Sequence, residues 1–202
     1  GIAASQGVAV AKVYKLEQPV LDIQKVEVTD LEAEKAKIER AFAKTVEDIE
    51  KIKETAAGHL AAEELAIYDA HLMMAQDPEF KSQILDEIEN SKENAEYAAQ
   101  TVASNMVSMF ENMDDSYFKE RAADIKDVSF RLLCNLTGKT IPNLATLDSP
   151  VIIVAKDLTP SDTGSLNKEF AKGFATEMGG RTSHSAIMAR SLEIPAVVGV
   201  KD

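Results

Sequence analysis

The chain has 202 residues, of which 45% are hydrophobic and 28% are charged, a composition typical of a folded domain in water. No apolar run reaches the ~18 residues of a transmembrane helix, and the first residues lack the basic segment of a signal peptide. The formal net charge is −12, and residues 29–138 hold 24 acidic against 12 basic side chains, so the acidic excess lies there. The negative electrostatic field of this acidic excess disfavours nucleic-acid binding and attracts basic partners. An acidic excess of this kind is equally typical of the solvated surface of a helical segment.

The first predicted element is a strand over residues 8–14, which read VAVAKVY and have the composition of a strand. Thr29 and Glu32 have the spacing of a capping box, and apolar residues at helical spacing then continue to about Gly58. Four further helices are predicted: one over residues 60–76, one from Pro78 behind the cap Asp77, one opening at Ser91, and one from Ser116 that stops at Gly138. Short connections between these helices predict a helical bundle.

After Pro142 the pattern changes to short apolar strands. Residues 151–155 form a continuous apolar run, typical of a strand buried on both faces, and further strands are predicted over residues 173–177 and 196–200. A polar turn, a glycine loop and a short helix separate these strands, which is an α/β arrangement. The predicted fold class is therefore α/β plus all-α.

We place the α/β domain at residues 1–28 and 139–202 and the inserted helical domain at residues 29–138. The chain stops directly after its last predicted strand, where a sheet has little to cover it. We therefore expect a fragment of a longer protein, with the α/β domain cut at its C-terminus.

Cysteine and histidine usage is sparse. Cys134 is the single cysteine and follows two leucines in a helical pattern, so we expect a small core residue, no internal disulfide and a cytoplasmic protein. Three histidines at scattered positions make no zinc-binding pattern.

The stretch GGRTSHSAIMAR at residues 179–190 places His184 directly after a glycine-rich turn, at the start of a short amphipathic helix. Helix N-termini carry backbone N–H groups without intrahelical acceptors and a partial positive charge, so they favour phosphate. Neutral imidazole is a good nucleophile near pH 7, since its unperturbed pKa is about 6.5. We hypothesise that His184 carries a phosphoryl group.

The residues before His184 are candidates for a phosphate-binding loop: Gly179, Gly180, Arg181, Thr182 and Ser183. Glycine permits positive φ and close approach of a ligand, arginine offers a forked donor, and the hydroxyls donate or cap the helix. Each residue also has an ordinary interpretation as part of a tight turn or cap. A serine hydrolase is disfavoured because adjacent serine and histidine side chains on a helix point in different directions, and because no nucleophile elbow is present. The sequence also contains no P-loop for binding a nucleotide.

The predicted helix over residues 60–76 has a second, partly apolar face, formed by Ile67, Ala70, His71, Met73 and Met74. Acidic residues lie at both ends of this face: Glu63, Glu64 and Asp77. An apolar patch ringed by acidic residues is suited to docking a partner with a basic rim. A helix buried on two sides would give the same pattern.

Residues 179–199, GGRTSHSAIMARSLEIPAVVG, resemble the phosphohistidine signature of the phosphoenolpyruvate-utilising enzymes. The inserted bundle and the segments 63–64, 70–74, 120–124 and 157–161 resemble the N-terminal part of the Enzyme I family of the bacterial sugar phosphotransferase system. The resemblance covers essentially the whole chain, and Gln6 departs from it where that family has proline. Pyruvate phosphate dikinase and phosphoenolpyruvate synthase share the histidine signature, so a histidine domain of either enzyme is an alternative interpretation of the chain. A binding module in which the histidine is only structural is a second alternative.

The resemblance implies that His184 is phosphorylated on Nε2 by phosphoenolpyruvate and passes the group to a histidine of the carrier protein HPr. It implies that the Thr163 hydroxyl binds this imidazole and so fixes its tautomer. It also implies an HPr-contacting surface on the helical domain: Glu63, His71, Met73, Met74, Phe80, Phe110, Tyr117 and Arg121.

The same resemblance implies a C-terminal region, outside this chain, that binds phosphoenolpyruvate and Mg²⁺ and forms a homodimer. We accordingly expect a monomer without metal or cofactor for residues 1–202, and phosphoryl exchange with HPr but no direct reaction with phosphoenolpyruvate.

Overall fold

A computed structural model describes residues 1–201 and shows a helical bundle together with a small α/β sheet region, which confirms the predicted fold class. The strands are β1 Ile2–Ser5, β2 Lys12–Leu16, β3 Val151–Ala155, β4 Ala171–Thr176 and β5 Ala196–Val198. Their order in the sheet is β1-β5-β4-β3-β2. Strands β2, β3, β4 and β5 are parallel neighbours, and β1 pairs antiparallel with β5.

The strand predicted over residues 8–14 is present only from Lys12 onward, as β2, so its predicted start was wrong. Val8 and Val10 are 93% and 92% exposed, and they lie in the connection between β1 and β2. The parallel register pairs Lys12 with Val151 and Leu16 with Ala155, so the ladder begins four residues later than predicted. Strand-like composition alone does not set where a strand begins, because the backbone also needs a neighbouring strand for its hydrogen bonds.

Seven helices are present in the described residues: α1 Leu31–Ala57, α2 Ala62–Ala75, α3 Pro78–Ser91, α4 Ala95–Glu111, α5 Ser116–Thr137, α6 Pro160–Gly164 and α7 His184–Leu192. The predicted cap of α3 is confirmed, and α5 also begins behind an aspartate. Asp77 accepts a hydrogen bond from the backbone N–H of Glu79, and Asp115 accepts one from that of Tyr117. Gly138 ends α5 with φ +69°, which glycine adopts without strain.

Two predicted helix starts were wrong. The Asp30 carboxylate, rather than Thr29, accepts the hydrogen bond from the Ala33 N–H at the start of α1. Ser91 lies in the last turn of α3, which ends where Lys92 adopts the left-handed conformation. Helix α4 instead follows Asn94, whose side-chain amide oxygen Oδ1 accepts a hydrogen bond from the Val26 backbone N–H.

The chain divides into two compact units. The sheet unit contains Gly1–Gln18, Lys51–Tyr68 and the residues from Pro142 onward. Its core joins strand residues such as Ile153 and Phe174 with residues of α1, α2 and their connection: Ile52, Ala56, Leu60 and Tyr68.

The helical unit contains Pro19–Glu50 and Asp69–Ile141. Its larger core packs α1, α3, α4 and α5 around side chains that are fully buried: Ile38, Ile84, Ile88, Ala98 and Ala99. Leu21 and Ile23 pack against this core.

These units do not follow the boundaries predicted at residues 28 and 139. Residues Lys51–Tyr68, which we assigned to the bundle, pack with the sheet, and Pro19 onward packs with the helices. Helical periodicity shows which face of a helix is apolar but not which core that face joins. Among the described residues, no helix is both long and apolar enough to cross a membrane.

Candidate functional site

Helices α6 and α7 come together because each follows one of two neighbouring parallel strands. Strands β3 and β4 pair in register up to Ala155 and Thr176, and the carboxyl ends of parallel strands meet at one edge of a sheet. Helix α6 begins five residues after β3, and α7 begins eight residues after β4. This topology brings Thr163 Oγ1 to 2.9 Å from His184 Nε2, across 21 residues of sequence.

Helix α6 holds Thr163 firmly although it has only five residues. Thr159 and Asp162 form a complete capping box, and Pro160 supplies the preset φ of a first helical residue. Thr163 is almost fully buried. The Thr163 hydroxyl is therefore a fixed partner for the imidazole of His184.

Helix α7 begins at His184 itself, with Ser183 as its cap. The Ser183 hydroxyl donates to the Gly180 carbonyl at 2.8 Å and accepts from the Ala186 N–H at 3.3 Å. The first turn of a helix directs backbone N–H groups towards its N-terminus, where they favour an anion. His184 thus lies where the partial positive charge of the helix N-terminus would stabilise a phosphoryl group on its ring. Ser183 acts as the N-cap of this helix.

The two glycines of the candidate loop differ in their backbone. Gly179 has φ +104°, and a Cβ there would lie 3.0 Å from the Ser183 hydroxyl. Gly180 is not in the positive-φ region, and a Cβ there would meet no atom within 4 Å. Glycine is therefore required by the fold at position 179 but not at position 180. Arg181 and Thr182 are exposed.

Arg190 holds the candidate loop in place. Its guanidinium donates to the Ala4 carbonyl and to the Arg181 carbonyl, both at 3.0 Å. It thereby ties α7 to β1 and to the loop.

Two residues that the sequence analysis did not identify contact backbone carbonyls of α6. The Tyr68 hydroxyl donates to the Pro160 carbonyl at 2.7 Å. The ring nitrogens of His59 lie 3.1 Å from the Thr55 and Thr163 carbonyls. Carbonyl oxygens only accept, so both His59 contacts are hydrogen bonds when both ring nitrogens carry protons. Tyr68 had the spacing of an ordinary core residue, and His59 had no pattern around it.

The helical unit contains a cavity of about 670 Å³, open between the ends of α2, α4 and α5. Six of the predicted partner-binding residues line it: Met73, Met74, Phe80, Phe110, Tyr117 and Arg121. Phe110 stacks on Phe118 with ring centroids 5.8 Å apart, and the Arg121 guanidinium lies 5.3 Å from the Tyr117 ring. We call these six residues the apolar groove.

The other two predicted partner-binding residues lie elsewhere. Glu63 is exposed on the part of α2 that belongs to the sheet unit. His71 is only 1% exposed, so placing its side chain on the docking surface was wrong. Its Nε2 lies 3.0 Å from Asp124 Oδ1, and its Nδ1 lies 4.0 Å from Asp127 Oδ2. This histidine joins α2 to α5. Phe80 is also buried, and it forms part of the groove's floor against Phe42.

Comparison with known proteins matches both parts of the chain. The protein-family model described as "PEP-utilising enzyme, N-terminal" matches residues 1–121. The family model described as "PEP-utilising enzyme, mobile domain" matches residues 147–202. The phosphoenolpyruvate-protein phosphotransferase of Listeria monocytogenes is 54% identical over the whole chain. The chain spans 35% of the length of that relative.

Solved structures agree with these matches. A solution structure of Enzyme I (nEIt) is 44% identical, with a TM-score of 0.88 over 98% of this chain and 81% of that one. The N-terminal domain of Enzyme 1 - Nitrogen is 25% identical, with a TM-score of 0.68 over 98% of this chain and 82% of that one.

Proposed function

The chain belongs to the phosphoenolpyruvate-utilising enzymes, in the branch represented by Enzyme I, and on that premise we propose that His184 carries a phosphoryl group exchanged with the carrier HPr. The observation that carries the proposal is the contact between Thr163 Oγ1 and His184 Nε2 at the N-terminus of α7. A buried hydroxyl can hold the ring in one orientation, and the helix N-terminus stabilises the charge that arrives.

In the proposed transfer, the Nε2 lone pair of His184 attacks the phosphorus of a phosphohistidine on HPr. A new P–N bond forms, the P–N bond to the carrier breaks, and the carrier's imidazole keeps the released electron pair. Before attack, Nε2 leaves the Thr163 hydroxyl, since that atom otherwise occupies the position of the phosphoryl group. The backbone N–H groups at the start of α7 and the loop from Gly179 to Ser183 would receive the phosphoryl oxygens.

The apolar groove is the surface we propose for docking HPr. It combines apolar and aromatic side chains with the half-buried Arg121, whose guanidinium lies over the Tyr117 ring and donates to the Tyr117 hydroxyl. Aromatic residues, methionine and arginine are enriched at the centres of protein interfaces. The acidic excess of residues 29–138 supports a basic partner, and exposed Glu63 would contribute to the same attraction.

For the whole protein we propose phosphoryl transfer from phosphoenolpyruvate into sugar uptake, in the cytoplasm, by a homodimer that uses Mg²⁺. Within residues 1–201, no group of three or more His, Cys, Asp and Glu side chains is arranged to hold a metal ion, and we propose that Mg²⁺ binds outside this chain.

The test is incubation of the chain with phosphorylated HPr. We expect an acid-labile adduct with the mass of one phosphoryl group, located on His184 by peptide mapping and lost in His184→Ala. Thr163→Val should slow the transfer by about tenfold or more, whereas Thr163→Ser should restore it, since serine keeps the hydroxyl. Circular dichroism establishes that each variant is folded.

Three results would contradict the proposal. Labelling at a residue other than His184 would assign the chemistry elsewhere. Binding of HPr without any transfer, by folded protein, would leave a binding module with a structural histidine. Absence of any HPr interaction would favour a histidine domain of the dikinase or synthase type.

A further inference from the structure

The Thr163 hydroxyl has one proton and three acceptors within reach. Its Oγ1 lies 3.3 Å from the Thr159 carbonyl, 3.1 Å from the Pro160 carbonyl and 2.9 Å from His184 Nε2. The direction in which this proton points decides the tautomer of His184. If Thr163 donates to Nε2, the neutral ring carries its proton on Nδ1; if Thr163 donates to a carbonyl, Nε2 must carry the proton and donate to Oγ1.

Both carbonyl oxygens already accept a stronger hydrogen bond. The Thr159 carbonyl accepts from the Thr163 backbone N–H at 3.0 Å. The Pro160 carbonyl accepts from the Tyr68 hydroxyl at 2.7 Å. An oxygen that holds one short hydrogen bond is a weaker acceptor for a second donor, so the Thr163 proton is directed to His184 Nε2.

The position of the Tyr68 hydroxyl depends on a close approach to α6. Tyr68 is 1% exposed in the core of the sheet unit. A Cβ on Gly164 would overlap the Tyr68 hydroxyl and lie 2.8 Å from Ile52 Cγ2. Because residue 164 has no side chain, the tyrosine reaches the Pro160 carbonyl. Tyr68 and Gly164 are thus a complementary pair directly beneath Thr163.

We propose that Tyr68 is a positioning residue for His184: its hydroxyl occupies the Pro160 carbonyl, directs the Thr163 proton to Nε2 and so holds the imidazole as the Nδ1–H tautomer. The purpose of this arrangement rests on the proposed function, since only Nε2 with a free electron pair attacks phosphorus. The tautomer itself is a property of the unphosphorylated chain and can be measured without any transfer.

Tyr68→Phe keeps the ring in the core and removes only the hydroxyl. The Pro160 carbonyl then becomes the better acceptor, the Thr163 proton turns to it, and the Nε2–H tautomer of His184 gains population. The measurement is the ¹⁵N chemical shifts of Nδ1 and Nε2 in long-range ¹H–¹⁵N spectra at about pH 8, where unperturbed imidazole is neutral. We expect the tautomer ratio to shift by about three- to tenfold, the effect of one ordinary hydrogen bond.

Two further variants complete the experiment. Tyr14→Phe is the matched control, because Tyr14 packs against the same core from β2, and its tautomer ratio should equal that of the unmodified chain. Gly164→Ala should shift the ratio in the same direction as Tyr68→Phe, since the methyl group displaces the hydroxyl. It provides a second test if Tyr68→Phe does not fold.

The proposal is overturned if folded Tyr68→Phe keeps the original ratio, or if the unmodified chain is already mainly Nε2–H. Transfer from phosphorylated HPr should also slow in Tyr68→Phe, by a factor similar to the tautomer shift and with unchanged affinity for HPr. A shifted tautomer without any transfer in the unmodified chain would contradict the proposed function and leave the role of Tyr68 intact.

Discussion

At the scale of single residues, the loop before α7 separates the needs of the fold from those of the chemistry. Gly179→Ala should lower the free energy of unfolding by about 1–3 kcal/mol, because φ +104° is strained for any other residue. Gly180→Ala should change it by less than about 0.5 kcal/mol, since a methyl group there meets no atom. Urea denaturation of both variants checks this pair of expectations.

The transfer assay then gives the Gly180→Ala variant a second use. If phosphoryl oxygens approach the backbone closely, this folded variant should transfer more slowly than the unmodified chain. Equal unfolding free energies for the two variants would show that the loop backbone differs from the one described.

Cys134 provides a prediction about pH. Burial raises the pKa of its thiol to about 11 in the folded chain, from about 9 when unfolded. At pH 8 the folded thiol should therefore react with iodoacetamide about 100-fold more slowly than the unfolded thiol, because the thiolate is the reactive form. Equal rates in buffer and in denaturant would contradict this.

The sign of the corresponding stability effect follows from the same shift. A thiol whose pKa is higher in the folded state contributes full stability below pH 9, and that contribution is lost as the pH rises from about 9 through about 11. Cys134→Ala should remove this part of the pH dependence while creating a small cavity.

At the scale of elements, the start of α5 carries Tyr117 of the apolar groove and Phe118, which lines the same cavity. Asp115→Ala removes the carboxylate that accepts from the Tyr117 N–H, and we expect a loss of about 1 kcal/mol in unfolding free energy. Asp114→Ala is the matched control, since Asp114 precedes the cap and α5 begins at Ser116. Equal losses for the two variants would indicate a general charge effect in place of capping.

Helix α2 allows docking to be separated from packing. Met73 is 72% exposed, so Met73→Ala should leave the unfolding free energy within about 0.5 kcal/mol and weaken HPr binding about fivefold or more. His71→Ala removes the buried partner of Asp124 and should cost about 2–3 kcal/mol of stability. Calorimetry of binding and of unfolding distinguishes the two, and a large stability loss for Met73→Ala would place that side chain in a core.

At the scale of the whole molecule, the charge distribution predicts how association depends on salt. The acidic excess should accelerate encounter with a basic carrier, so the association rate should fall about tenfold or more between low salt and about 1 M salt, where the Debye length is about 3 Å. Stopped-flow mixing with HPr measures this rate. A rate independent of salt would mean that the charge serves only solubility.

The sequence by itself determined what depends on neighbouring residues. The caps Asp77 and Asp115, the stop at Gly138 and the helix start at His184 involve groups a few residues apart, so their chemistry is readable in the chain. The buried strand Val151–Ala155 was equally clear, because a continuous apolar run of that length has few other uses.

Only the tertiary structure decided what depends on distant residues. Parallel pairing of β3 with β4 brings Thr163 to His184, and the packing of Lys51–Tyr68 with the sheet brings Tyr68 beneath Pro160. In the helical unit, packing of α2 against α5 buries His71, whose helical spacing fitted a docking face and a doubly buried helix equally well. Periodicity identifies an apolar face, but the partner of that face is selected by the burial and hydrogen bonding of the whole chain together, and no local pattern contains that sum.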